Sequence, residues 1–137
     1  MRYTAVFDTN ILISALLSTR SNPFRCLALA KIGKIDSVTC QEILDEFAEK
    51  LLIKFKFSQE MTQAAVEEVA SFSRLVKIST TLRVVEADPD DDMVIECAVV
   101  GNATHIVTGD KHLLSIARYD FIEIVNATTF ISIFNMI

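Results

Sequence analysis

The chain has 137 residues, 51% of them hydrophobic, with only 3 Gly and 2 Pro. That composition predicts one compact domain, burying roughly two-thirds of the surface its unfolded form exposes. No apolar stretch approaches the roughly 18 residues of a membrane span, and a net charge of −5 (18 acidic against 13 basic residues) argues against nucleic-acid binding through a basic surface unless bound divalent ions offset it.

Tyr3–Phe7 is predicted as a short strand, and Ile11–Leu17 as the helix or turn that follows. Asp8 interrupts this apolar start too early for a signal peptide. Ser21-Asn22-Pro23 marks a helix start, a capping side chain followed by Pro at the first helical position, with the helix running to about Lys31 and stopped by Gly33. Ile35–Val38 is a second predicted strand. Thr39-Cys40-Gln41-Glu42 matches a capping box, and Ile43, Leu44, Phe47, Ala48, Leu51, Leu52 and Phe55 follow at helical spacing. Ser58 is expected to cap a helix through about Leu75, and 76–86 carries extended character. Asp88-Pro89 opens a helix through Val100, closed by Gly101-Asn102. His105–Thr108 and Phe121–Val125 are predicted strands with a short helix from Lys111 between them, and Thr128–Phe134 is a terminal helix. Strands as apolar as Ala5-Val6-Phe7 and Ile106-Val107, separated by helices, imply an α/β fold with a mainly parallel sheet covered on both faces and right-handed crossovers.

Cys26, Cys40 and Cys97 are odd in number and none belongs to a C-x-x-C pair. They read as small buried hydrophobes in a reducing compartment, which predicts a cytoplasmic protein.

Two strand-like runs end in an acid: Ala5-Val6-Phe7 meets Asp8, and Ile106-Val107-Thr108 meets Gly109-Asp110. Carboxylates at the carboxyl ends of parallel strands point into the crevice where such sheets bind ligands. Each could instead cap the following helix. For Asp8, Asn10 is available as the cap, which would free the carboxylate. The run Asp88-Pro89-Asp90-Asp91-Asp92 holds four acids in five positions. A helix dipole favours acids in its first turn, but mutual repulsion offsets that gain, so one or two are expected to face the cleft. By pattern alone Glu46 lies on a solvated acidic helix face with Glu42 and Glu49. His105 reads as structural, and His112 as structural or facing substrate. Oxygen-only donors select Mg²⁺ or Mn²⁺ over Zn²⁺, and two such ions about 3.5–4 Å apart suit phosphodiester hydrolysis. Neither a phosphate-binding loop nor a dinucleotide fingerprint is present.

The same residues resemble the PIN domain, a family of small metal-dependent ribonucleases, over nearly the whole chain. Phe7-Asp8-Thr9-Asn10 with Ile11–Leu17 resembles its opening strand and helix. Glu42-Ile43-Leu44-Asp45-Glu46-Phe47 resembles its second acidic motif. Asp88–Met93 with Glu96-Cys97-Ala98 resembles the third, and Ile106–Lys111 the fourth. The chain is most like the stand-alone, VapC-like branch described as toxin components of toxin–antitoxin pairs. The resemblance implies a three-layer α/β/α sandwich with Rossmann-like topology, formed by residues 1–137 as a single domain. It also implies an acidic quartet of Asp8, Glu46, Asp91 and Asp110 as catalytic and metal-binding residues, with Asp90 and Asp92 as alternatives for the third acid. Asn10 and Thr108 would support the acids, and Lys111 and His112 would meet substrate. A Mg²⁺ or Mn²⁺ cofactor, RNA as substrate, a homodimer and a small antitoxin partner are further implications. The acidic pattern is intact, which argues against a degenerate, inactive member.

Two other readings compete. A catalytically silent interaction module would use the cluster as a structural cation site. A receiver-type phosphoacceptor domain would want an acid pair after the first strand, where only Asp8 stands, and an Asp ending a central strand.

Overall fold

The structure, a computed structural model, describes residues 2–82 and 89–134. Strand β1 (Thr4–Phe7) leads into helices α1 (Thr9–Leu17) and α2 (Asn22–Lys31). Strand β2 (Asp36–Cys40) leads into α3 (Gln41–Ile53) and α4 (Gln59–Ser71). Then come β3 (Ser73–Val76), α5 (Pro89–Val100), β4 (His105–Val107), α6 (Lys111–Ile116), β5 (Arg118–Tyr119), β6 (Ile122–Val125) and α7 (Ala127–Phe134).

The strands form one sheet in the order β3-β2-β1-β4-β6-β5, parallel throughout except where β5 meets β6. The chain steps outward from β1 to β2 and β3, then returns past β1 to β4. Right-handed crossovers in opposite directions put α1 to α4 on one face and α5 on the other, and α5 packs across β1, β2 and β4. The result is the expected α/β/α sandwich. Ala5, Val6, Phe7, Ile106 and Val107 are buried, as strands covered on both faces require. Because strand order reverses between β1 and β4, a crevice opens at their carboxyl ends.

Local signals place most elements correctly. The Ser21 hydroxyl accepts from Phe24 N at 3.3 Å and that of Ser58 from Met61 N at 3.1 Å, each satisfying an otherwise unpaired helix-start donor. Three expectations fail. The capping box at Thr39 does not form: Thr39 stays in β2, paired with Leu75, and Cys40 takes the N-cap position without a side-chain bond. Strand pairing therefore overrides the local capping signal. Helix α4 stops at Ser71, because residues 73–76 add to the edge of β2, where the Ser37 and Ser73 hydroxyls lie 2.7 Å apart. The hairpin strand β5 was not expected; its turn runs through Asp120 at φ +52°, without the Asn-Gly or Asp-Gly pair that announces such turns.

The expected cap at Asp88 and positions 83–86 of the extended stretch lie outside the described residues. The three cysteines are free and buried. Among the described residues, no helix is long and apolar enough to cross a membrane.

Candidate active site

Register sets the first contact. Phe7 pairs with Val107 across β1 and β4, so Asp8 and Thr108 leave the sheet side by side. Asp8 is 6% exposed. Its Oδ1 accepts from Thr9 N at 2.7 Å, while Oδ2 accepts from Asn10 Nδ2 at 2.9 Å and from the Thr108 hydroxyl at 2.7 Å. Asp8 is therefore itself the cap of α1, which starts at Thr9 rather than Ile11; the expectation that Asn10 would cap instead is wrong. Capping does not consume the carboxylate, which offers about four lone-pair positions, one more than these three bonds occupy.

Asn10 and Thr108 act as braces between the strand ends. Asn10 donates to Asp8 and accepts from Gly109 N at 2.9 Å, and the Thr108 hydroxyl accepts from Asp110 N at 3.0 Å while donating to Asp8. Asp110 caps α6, its Oδ1 accepting from His112 N at 2.7 Å and Leu113 N at 3.1 Å. Both bonds fall on one oxygen.

One cavity of about 90 Å³ is lined by Asp8, Asn10, Glu46, Lys50, Asp90, Asp91 and Asp110. It brings Asp8, Glu46, Asp91 and Asp110 together, with Asp90 as a fifth acid. Asp92 is buried and does not line it. Glu46 reaches the cavity from α3 and is half-buried rather than part of a solvated face. The pattern could not show this, because the helix carries acids on several faces. Lys50, one turn after Glu46, was missed. The available signal was its i+4 spacing from Glu46, which puts both on one side of α3.

Two of the acids ionise less readily here than in water. Burial pushes the Asp8 carboxyl above its ordinary value and the charge of Asp110 adds to the rise; bonds from Thr108 and Thr9 and the charge of Lys50 hold it back. Burial also raises Glu46, with Asp90 adding to the rise and Thr9 and Lys50 opposing it. Among the described residues no three His, Cys, Asp or Glu side chains are grouped closely enough, as they stand, to hold a metal ion between them. The donor set nonetheless fits a hard divalent cation: every candidate donor is a carboxylate oxygen, and a positive charge would offset the burial and the neighbouring negative charges that raise Asp8 and Glu46.

Lys111 and His112 line a neighbouring open groove of about 730 Å³ that shares Asn10 and Asp110 with the acidic cavity and continues past Ser14, Asn126 and Thr128. His105 lies elsewhere, buried with edge contacts to Tyr3 and Phe130. Glu96 also stays out of the cavity. Its carboxylate accepts from the backbone of Ser79, Thr80 and Leu82 and from the Ser79 hydroxyl.

Comparison with known proteins agrees with the fold. The crystal structure of VapBC2 from Rickettsia felis, bound to a DNA fragment from their promoter, matches with a TM-score of 0.62 over 90% of this chain and 98% of that one. At 17% identity that likeness carries the fold alone. An uncharacterized protein of Methanocaldococcus jannaschii, MJ1680, is 31% identical over 120 residues, spanning 85% of this chain and 76% of that protein. The sequence pattern of a family described as PIN domain matches residues 4–112, from the first residue of β1 to the groove histidine. With β1, α3, α5 and the β4–α6 junction all inside that match, the chain belongs to the PIN domain family.

Proposed function

We propose that the protein is a Mg²⁺- or Mn²⁺-dependent endoribonuclease, acting in the cytoplasm as the toxin of a toxin–antitoxin pair. The observation that carries this reading is the convergence of Asp8, Glu46, Asp91 and Asp110 on one cavity at the switch point of a parallel sheet. Family membership supports a nuclease, and the fold likeness to VapBC2 supports the toxin–antitoxin role. A small antitoxin that covers the cleft and a homodimeric assembly belong to the same proposal.

Asp8, Asp91 and Asp110 would hold the ion or ions, with Glu46 completing the set. Such ions supply a polarised phosphoryl oxygen and an acidified water. The chain does the positioning. Thr9, Asn10 and Thr108 fix the Asp8 carboxylate through three hydrogen bonds, so little reorganisation remains when substrate arrives. Glu46, its pKa raised by burial, is suited to accept a proton from the attacking water at its carboxylate. Lys111 and His112 would guide the RNA along the adjoining groove.

The test is cleavage of labelled RNA in Mn²⁺ by the parent, by the parent in EDTA, and by Asp8→Asn. Removing one charge from the set should lower the rate by at least about 10²-fold, the scale of a lost electrostatic contact at a reacting centre. Equal cleavage in all three arms would defeat the proposal.

A further inference from the structure

Among the described residues that line the cavity, Lys50 is the cation beside five acids. The simple account of it is a counter-charge that eases repulsion between carboxylates. A lysine in that role pairs directly with a carboxylate, as Lys31 does with Glu68 on the surface. Lys50 forms no ion pair among the described residues, yet its charge is felt at both Asp8 and Glu46. Its three N–H donors therefore stand beside the acids without being tied to them.

The topology adds a direction. Helix α3 follows β2, on one side of β1, whereas Lys111 follows β4 on the other. Lys50 and Lys111 thus flank the acids from opposite sides, and the groove holding Lys111 meets the cavity at Asn10 and Asp110. A strand lying in that groove and crossing the acids runs toward α3. The whole chain carries a net charge of −5, so phosphate affinity has to come from local cations of this kind.

We propose that Lys50 is a substrate-contacting residue whose ammonium takes a phosphate oxygen of an RNA strand crossing the acidic cavity, opposite Lys111. This rests on the nuclease reading and adds a residue to it. The side chain lines the cavity from α3, and a charge-assisted bond to phosphate is of the strong kind.

The experiment compares the parent, Lys50→Met, Lys50→Arg and Lys54→Met. Lys54 lies one turn further along, beside the Phe55 ring and outside the cavity. Lys50→Met should lose about 10-fold to 100-fold in kcat/KM, the range for a lost hydrogen bond to a charged group. Lys50→Arg should recover most of that loss, and Lys54→Met should match the parent. Binding of single-stranded RNA is measured in an Asp8→Asn background across salt concentrations. There Lys50→Met should make the slope of log affinity against log salt shallower by about 0.7, one phosphate contact. Mn²⁺ affinity should stay level or rise, because a competing cation is gone. An unchanged salt slope, or a fall in Mn²⁺ affinity that accounts for the lost activity, overturns the proposal. A parent that binds RNA through Lys50 but does not cleave it would instead sink the nuclease reading and leave the contact standing.

Discussion

Asp8 shows how a helix cap and a carboxylate lining an acidic cavity can be the same side chain. Capping and ligation looked like alternatives in the sequence; three donors hold the carboxylate and still leave acceptor capacity. Glu96 resolves the opposite way. It belongs to an acidic motif, yet it fastens the 79–82 segment to α5. Burial works to raise its pKa, but bonds from Leu82, Ser79 and Thr80 outweigh it, so the carboxyl lies below its ordinary 4.5. A depressed carboxyl stabilises the fold fully above its unfolded pKa and loses that contribution as pH falls through the folded value. Glu96→Gln should therefore cost about 1–3 kcal/mol at neutral pH. In urea titrations from pH 7 to 3, the gap between parent and variant should close below pH 4.5. A gap that stays constant to pH 3 would mean that the carboxylate's charge is not what holds the segment. Of the cavity residues, those at strand ends were legible because an acid following a buried apolar run has few structural explanations. Glu46 needed the family resemblance, and Lys50 was overlooked because its signal, the i+4 spacing from Glu46, has meaning only once Glu46 is placed in the cavity.

At the scale of elements, close approach replaces pattern as the deciding factor. Gly101 ends α5 where that helix crosses β2, and a Cβ there would lie 2.5 Å from Val38 Cγ1 and 3.1 Å from Cys97 O. Val38 is fully buried and β-branched, so it has little room to yield. Gly101→Ala should destabilise the protein by about 1–3 kcal/mol, the usual cost of overpacking, read as a lower urea midpoint with unchanged slope. Pairing it with Val38→Ala should cost less than the sum of the two single changes, since each makes room for the other. Strict additivity would show that the contact is not the cause. The sequence suggested only that Gly101 stops a helix. The need for glycine comes from a neighbour 63 positions earlier, which no local window contains. Strands β3 and β5 were illegible for the same reason: each is an edge strand, defined by a partner rather than by alternation of its own residues.

The whole molecule gathers charge of one sign at one place. The sheet order brings acids from the ends of β1 and β4 and from helices α3 and α5 to one crevice, in a chain already at −5. Folding without a cation therefore brings carboxylates together in a buried crevice, and the raised carboxyls of Asp8 and Glu46 reflect burial first and the charges of Asp110 and Asp90 second. A cation that binds only the folded form should return stability by mass action, about 2.7 kcal/mol at a hundred times its dissociation constant. For a chain of this length that corresponds to a rise of roughly 10 °C in melting temperature. Mn²⁺ should produce it in the parent and much less of it in Asp8→Asn or Asp110→Asn. Potassium chloride at matched ionic strength separates site binding from general screening, because exposed charges respond to any salt. Asp8→Asn without metal should lose little stability, since the repulsion it removes offsets the hydrogen-bond rearrangement it causes. Equal shifts with Mn²⁺ and potassium chloride, or in parent and variants, would mean that the crevice gathers acids without binding a divalent ion. The metal-dependent mechanism would then lose its physical basis.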